Sequence, residues 1–195
     1  TAPADTYTIS ATATNSFGCS QTQSHTIVVR SLPTITVADA QVCLNGTVAL
    51  SASGAESYEW TPTSYFTAPN TVSDVVTGAN VTFYGTEAGD KEITITGTDE
   101  YGCVNTTTAT VTVLDLPTTG LTLADKEICQ GASTSWTIEN GNYTNYVWAS
   151  SSEDALSAVG ATATFTSSVT GTHSVTVTVT DNDNCTNSSS AEVMV

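Results

Sequence analysis

One pattern constrains this chain more than any other feature of its sequence, because it occurs three times at nearly equal spacing. A turn residue precedes a cysteine, and alternating apolar residues lie on both sides, as in YGCVNTTTATVTV at residues 101–113. The three cysteines, Cys19, Cys103 and Cys185, lie 84 and then 82 residues apart. A period of this length is typical of a β-sandwich module and predicts tandem domains.

The apolar residues around the three cysteines align column by column. Those ten positions before each cysteine are Ile9, Ile93 and Val175, and those ten positions after are Val29, Val113 and Val195. Alternation with period two places apolar side chains on a buried face and threonines on a solvated face. Glycine or asparagine precedes each cysteine and tolerates the positive φ of a tight turn. Each pattern therefore predicts the last hairpin of a domain.

A second pair of matching segments sets the domain limits. ADAQVCLNGTVALSASG and ADKEICQGASTSWTIENG place Cys43 and Cys129 86 residues apart, with no third copy upstream. We therefore expect residues 1–31 to be the C-terminal strands of a preceding, truncated domain. Two complete domains follow, the central repeat (32–116) and the C-terminal repeat (117–195). Short proline-bearing junctions, RSLP and LDLP, predict semi-rigid linkers.

Composition and aromatic spacing define the fold class. Threonine, serine and valine dominate the chain, which favours strands over helices. Tyr58 and Trp60 in the central repeat match Tyr146 and Trp148 in the C-terminal repeat. Cysteine, tryptophan and cysteine in this order are found in immunoglobulin-like sandwiches. The sequence predicts an all-β chain of tandem immunoglobulin-like β-sandwiches.

The net charge of −16 disfavours nucleic acid and anionic lipid as partners, because like charges repel. The sequence has no apolar run long enough to span a membrane, so we expect no membrane insertion by this segment. Three basic residues leave few sites for trypsin-like proteases, as suits an extracellular protein. We expect an extracellular or cell-surface location.

The segments CLNGTVALSASG, YEWTP, TITGTDEYGC and TATVTVLDLP resemble the PKD-like and immunoglobulin-like repeats of secreted Bacteroidota surface proteins, including SprB-type gliding adhesins. The C-terminal repeat departs from this pattern with DNDNC in place of a glycine–cysteine turn. The resemblance implies a non-catalytic stalk or adhesive segment of a long tandem array. Its implied partners are neighbouring repeats, with a second copy of the chain, surface glycans or surface proteins as alternatives. A non-catalytic binding or spacer module of a secreted hydrolase is the rival interpretation.

No residue pattern indicates catalysis or a cofactor. His25 and His173 lie at no catalytic or metal-binding spacing, so we expect solvated or rim histidines. DNDN at residues 181–184 has the alternating oxygen ligands of a calcium loop, but the feature does not recur in the other two hairpins, so we favour a hairpin turn and assign no metal site. The aromatics Tyr65, Phe66 and Tyr143 could form a carbohydrate- or protein-binding patch, but we favour the interpretation that they cap the ends of a sandwich core.

Five cysteines in a threonine-rich chain that we expect to be exported predict disulfides. The simplest assignment pairs Cys43 with Cys103 and Cys129 with Cys185, leaving Cys19 unpaired because its domain is truncated. A bond from Cys43 to Cys185 is the alternative. It would leave the other three cysteines to neighbouring repeats, and it follows if the first interstrand loop and the last hairpin lie at opposite ends of a domain. A seven-residue strand alone spans roughly 23 Å, beyond the roughly 7 Å Cα separation that a disulfide allows.

Overall fold

The structure is a computed structural model that describes residues 3–66, 75–118, 120–139, 141–151 and 156–195. In these residues the sole helical element is one 3-10 turn, Thr63–Tyr65, and no helix is long and apolar enough to cross a membrane. The chain divides into two compact units. One comprises Thr1–Ala40, Thr47–Tyr84 and Asp90–Val111, and the other comprises Gln41–Gly46, Gly85–Gly89 and Thr112–Val195. The limits drawn from the sequence at residues 31 and 116 stay a prediction.

The N-terminal hairpin consists of β1 (Asp5–Thr14) and β2 (Ser20–Val29). The strands are antiparallel, with Asp5 opposite Val29 and Thr14 opposite Ser20. Among the described strands they pair with each other alone. Their side chains are exposed along almost the whole length, because none of the strands that the structure describes forms a second sheet over either face.

The central repeat contains eight described strands in two sheets. The strands are β3 (Thr36–Val37), β4 (Ala40–Cys43), β5 (Thr47–Ser53), β6 (Ser57–Thr61), β7 (Val76–Thr77), β8 (Asn80–Tyr84), β9 (Gly89–Thr98) and β10 (Val104–Leu114). One sheet has the order β4-β10-β9-β6-β7, and the other has the order β3-β5-β8. As predicted, β9 and β10 flank Cys103 as the last hairpin of this repeat.

The C-terminal repeat contains seven described strands. They are β11 (Lys126–Glu127), β12 (Ser133–Thr137), β13 (Asn145–Ser150), β14 (Leu156–Val159), β15 (Thr162–Thr166), β16 (Thr172–Thr180) and β17 (Thr186–Met194). One sheet has the order β11-β17-β16-β13, and the other has the order β12-β15-β14. Strand β11 runs parallel to β17, whereas the remaining pairs are antiparallel. This seven-stranded, two-sheet arrangement confirms the immunoglobulin-like β-sandwich.

The core of each repeat follows the predicted two-residue alternation. In β16, Val175, Val177 and Val179 are fully buried, and the threonines between them are half-buried. These valines pack against Trp136 and Phe165 from the opposite sheet. In the central repeat the fully buried side chains are Trp60, Phe83, Ile93, Ile95 and Val111. Two sheets thus supply one apolar face each, which is the source of hydrophobic stabilisation in a sandwich.

Candidate functional site

Each of the three hairpin cysteines is the last residue of a five-residue turn, and the three turns are of the same kind. In each turn, one Oδ1 atom accepts hydrogen bonds from two backbone amides, that of the cysteine and that of the residue two positions earlier. In that order, the distances are 3.0 and 2.9 Å to Asn15, 2.8 and 2.9 Å to Asp99, and 2.9 and 3.0 Å to Asp181. The residue before each cysteine has positive φ: 82° at Gly18, 81° at Gly102 and 64° at Asn184. The segment DNDNC, which departs from the glycine–cysteine pattern, therefore forms the same turn as the other two hairpins.

Each of the other two cysteines, Cys43 and Cys129, is the first residue of a second kind of turn. The carbonyl of Cys43 accepts a hydrogen bond from the Gly46 amide at 2.8 Å, and the carbonyl of Cys129 accepts one from Ala132 at 2.9 Å. The third residue of each turn has positive φ, 66° at Asn45 and 79° at Gly131. Its amide donates to an equivalent carbonyl, Gly85 in one repeat and Ser167 in the other. The two cysteines thus occupy equivalent backbone positions.

Cys43 forms a disulfide with Cys185, and their Cα atoms are 5.6 Å apart. The bond joins a turn in the central repeat sequence to the last hairpin of the C-terminal repeat sequence. Both cysteines belong to the same compact unit. Cys185 is fully buried, which removes it from water and from soluble thiols.

The predicted pairing within each domain, Cys43 with Cys103 and Cys129 with Cys185, is wrong. Beside Cys43, the Leu44 amide donates to the Leu114 carbonyl at the end of β10, whereas Cys103 precedes the start of that strand. Eleven residues of strand separate the two ends by roughly 36 Å. The same holds across β17, because Ile128 binds Met194 at its end and Cys185 precedes its start. The alternative from the sequence, Cys43 with Cys185, is the pair that forms.

Three cysteines are therefore free thiols. Cys19 and Cys129 are exposed, and Cys103 is half-buried. Sequence reasoning left Cys19 unpaired but placed the other two in disulfides. Each free cysteine has a bonded equivalent, because Cys19 and Cys103 match Cys185, and Cys129 matches Cys43.

A cation–π contact joins the N-terminal hairpin to the turn of β9 and β10. The Arg30 guanidinium carbon lies 3.3 Å from the centre of the Tyr101 ring. These residues line a shallow cleft of about 330 Å³ together with Asp5 and Asp99. The pKa of Tyr101 lies above its usual value, chiefly because of a hydrogen bond and charge repulsion from Glu100, while Arg30 acts in the opposite direction. Sequence reasoning missed this contact, although Arg30 is the sole arginine of the chain.

Asp181, from the DNDN segment considered for calcium, and two aspartates near strand ends accept hydrogen bonds from the backbone. Asp39 accepts from the Thr110 amide, and its equivalent Asp125 accepts from the Glu192 amide, both at 2.8 Å. Asp181 is the acceptor in the hairpin turn described above. Among the described residues, no three acidic, histidine or cysteine side chains lie together as a metal site.

The aromatics Phe66, Tyr65 and Tyr143 pack on the sandwich cores. Phe66 is buried, with its ring centre 5.6 Å from that of Trp60, so an exposed ligand patch is the wrong interpretation there. Tyr65 is half-buried against Phe83. Tyr143 packs at the edge of the C-terminal core, and burial raises its pKa. These contacts confirm the core-end interpretation.

The two histidines differ in their surroundings. His25 is exposed on β2, as expected. His173 is instead buried, because its ring packs on Phe165 at 5.5 Å and its Nε2 atom hydrogen-bonds the Val169 carbonyl at 3.0 Å. The ring contact and the backbone hydrogen bond account for the burial of this side chain.

Several solved structures are similar to this chain. A Ca²⁺-stabilised adhesin that helps an Antarctic bacterium reach out and bind ice has 15% identity and a TM-score of 0.47, over 97% of this chain and 56% of that one. This chain thus spans little more than half of that structure. A 1.5-MDa bacterial ice-binding adhesin has 15% identity and a TM-score of 0.45, over 97% and 73%. Titin domains I67–I69 have 14% identity and a TM-score of 0.35, over 85% and 66%. By sequence, no protein-family model and no curated protein match.

Proposed function

We propose that the chain is a load-bearing structural and adhesive segment of an extracellular bacterial surface protein built from tandem immunoglobulin-like repeats. The stalk or filament of an adhesin is the setting that the sequence resemblance suggests, with a Bacteroidota gliding adhesin as the specific case. The observation that most supports the proposal is the Cys43–Cys185 disulfide, since it covalently ties one repeat sequence to the next.

This disulfide shortens the covalent path between the two ends of the chain. The bonded cysteines are 142 positions apart, so the path contains residues 1–43 and 185–195, which are 54 of the 195 residues. At ~3.5 Å per extended residue, the crosslinked chain reaches about 190 Å and the reduced chain about 680 Å. Tension applied at the ends therefore bypasses most of both repeats.

The surface chemistry supports an extracellular setting. Disulfides persist in oxidising compartments and are rare where glutathione keeps thiols reduced. Rows of paired hydroxyls cover the exposed faces of the hairpins, such as Thr176 with Ser190 at 2.7 Å and Thr178 with Ser188 at 2.8 Å. Polar hydroxyls on these faces, together with the net charge of −16 from the acidic side chains, favour solubility.

Single-molecule extension tests the load-bearing role. The chain is tethered at Thr1 and Val195 and stretched to full length, first oxidised and then with a thiol reductant. We expect a final length of about 190 Å before reduction and about 680 Å after it. Cys43→Ser should reach the longer length without reductant, whereas the matched variant Cys129→Ser should behave as the unmodified chain does. An oxidised chain that extends to about 680 Å would contradict the proposal.

Surface labelling tests the location. An antibody against this chain should bind intact cells that produce the parent protein, without permeabilisation. Labelling that requires lysis would place the protein inside the cell and reject the extracellular role.

A further inference from the structure

Cys129 begins a turn equivalent to that of the bonded Cys43, but it is an exposed thiol. Both turns have the same internal hydrogen bond, the same positive φ at the third residue and the same link to the neighbouring carbonyl. Cys43 meets the hairpin cysteine of the repeat that follows it in the chain. We propose that Cys129 is a disulfide site for the hairpin cysteine of a further repeat of this kind placed after Val195.

The junction sequence supports this placement. Val195 lies ten residues after Cys185, as Val113 lies ten residues after Cys103. At the existing junction, LDLP follows Val113 and leads into the repeat whose hairpin supplies Cys185. A repeat that followed Val195 through the same junction would present its hairpin cysteine to Cys129 in the way that Cys185 meets Cys43.

The bond forms by exchange with a small-molecule disulfide, for which oxidised glutathione is the probe. The Cys129 thiolate attacks one sulfur, forms a mixed disulfide and releases one glutathione thiolate. The hairpin cysteine thiolate then attacks the Cys129 sulfur and releases the second. Two protein thiols are thereby oxidised, oxidised glutathione is reduced to two thiols, and the two protons go to the released thiolates.

Repeated along an array, such bonds would overlap, because Cys129 lies inside the loop that Cys43 and Cys185 close. Each repeat would then be bonded both to the one before and to the one after it. This inference extends the proposed load-bearing role. Its test maps a bond at Cys129, whereas the test of the role measures the length that the Cys43–Cys185 bond sets, so a free Cys129 beside an intact Cys43–Cys185 bond rejects this inference and leaves the role standing.

The test uses the full chain extended by one repeat. In one version a copy of residues 114–195 follows Val195, and in a second version a copy of residues 30–113 follows it. Both are refolded with reduced and oxidised glutathione and mapped without reduction. We expect Cys43 bonded to Cys185, and Cys129 bonded to the hairpin cysteine of the added copy. The existing bond reports that the original repeats have folded.

Two serine variants of the extended chains serve as matched comparisons. Cys129→Ser should leave the added hairpin cysteine open to alkylation after unfolding, whereas Cys19→Ser should leave the new bond intact. A map that contains the Cys43–Cys185 bond but a free Cys129 in both versions would overturn the proposal. Loss of both bonds in both versions would also overturn it, because the added repeat must dock without disturbing the earlier one.

Discussion

The N-terminal hairpin and the hairpin of β9 and β10 have nearly the same sequence pattern and the same turn, yet their side chains differ in burial. Ile9 is 56% exposed, whereas Ile93 in the same column is fully buried. Ile27 and Val111 differ in the same way, at 44% and 0% exposed. Alternation therefore specifies which face of a strand is apolar, but burial requires a second sheet.

The hairpins also differ in the strands beside them, because β9 and β16 each pair with a further strand and β1 pairs, among the described strands, with β2 alone. In the central repeat, β6 pairs with β9 and contributes Trp60, whose indole Nε1 donates to the Gly78 carbonyl at 2.8 Å. In the C-terminal repeat, β13 pairs with β16 in the same way, and Trp148 donates to Gly160 at 2.9 Å. β6 and β13, which contain the Tyr-x-Trp sequence, pair with one edge of β9 and of β16. The equivalent edge of β1 pairs with no described strand. Because a Tyr-x-Trp strand belongs to the same sheet as the hairpin, Ile9 should be buried only where both such a strand and a second, facing sheet are present.

Removal of the disulfide should give the largest difference between the two equivalent turns that begin at Cys43 and Cys129. Cys43→Ser opens a loop of 142 residues and should lower the free energy of unfolding by up to about 5 kcal/mol in the chain-entropy model. Urea unfolding followed by tryptophan fluorescence measures the change. Cys129→Ser is the matched control, since it alters the equivalent turn without removing a bond. Equal stability of the two variants would show that the disulfide does not stabilise the fold.

Truncation of matched isoleucines should give the next largest difference. Ile93→Ala leaves a cavity in a closed core and should lower the free energy of unfolding by about 3 kcal/mol. Ile9→Ala alters an exposed side chain and should change stability by less than about 0.5 kcal/mol. The same urea titration compares the two variants. A large cost at Ile9 would mean that the N-terminal hairpin is covered in solution, for example by a second copy.

The turns are the point on which all three hairpins agree. Asp181→Ala removes the acceptor of two backbone hydrogen bonds and should cost about 2 kcal/mol at roughly 1 kcal/mol for each bond. Asp181→Asn should retain most of the stability, because Asn15 makes the same two bonds in the N-terminal hairpin. Amide hydrogen exchange at Asp183 and Cys185 measures the loss. Equal protection in the alanine and asparagine variants would contradict this account of the turn.

The hydroxyl rows should give the smallest effect. Thr178→Val removes an exposed cross-strand hydrogen bond to Ser188 and should cost about 0.5 kcal/mol. Thr12→Val removes the corresponding bond to Thr22 in the N-terminal hairpin, which is 2.8 Å long. The midpoint temperature of thermal unfolding should be slightly lower for Thr178→Val than for the unmodified chain. A cost above about 2 kcal/mol would indicate that the hydroxyl row is buried against a partner.

Local patterns predicted strands, turns and core residues well, because each depends on neighbours in sequence. The run HSVTVTVT predicted β16 and its buried valines, and residue types before the cysteines predicted the positive φ. Disulfide pairing depends instead on which end of β10 the turn of Cys43 contacts, and no local pattern encodes that. The cation–π contact of Arg30 with Tyr101 was missed for the same reason, since it joins segments about 70 residues apart.

The central claim, the bond between Cys43 and Cys185, is tested most directly by a tryptic map without reduction. Cleavage at the three basic residues, Arg30, Lys91 and Lys126, gives peptides 1–30, 31–91, 92–126 and 127–195. Alkylation of free thiols and a second cleavage after Glu139 separate Cys129 from Cys185. We predict that the fragment containing Cys43 is linked to the fragment containing Cys185, with Cys19, Cys103 and Cys129 alkylated. A link between the fragments containing Cys43 and Cys103 would contradict the account.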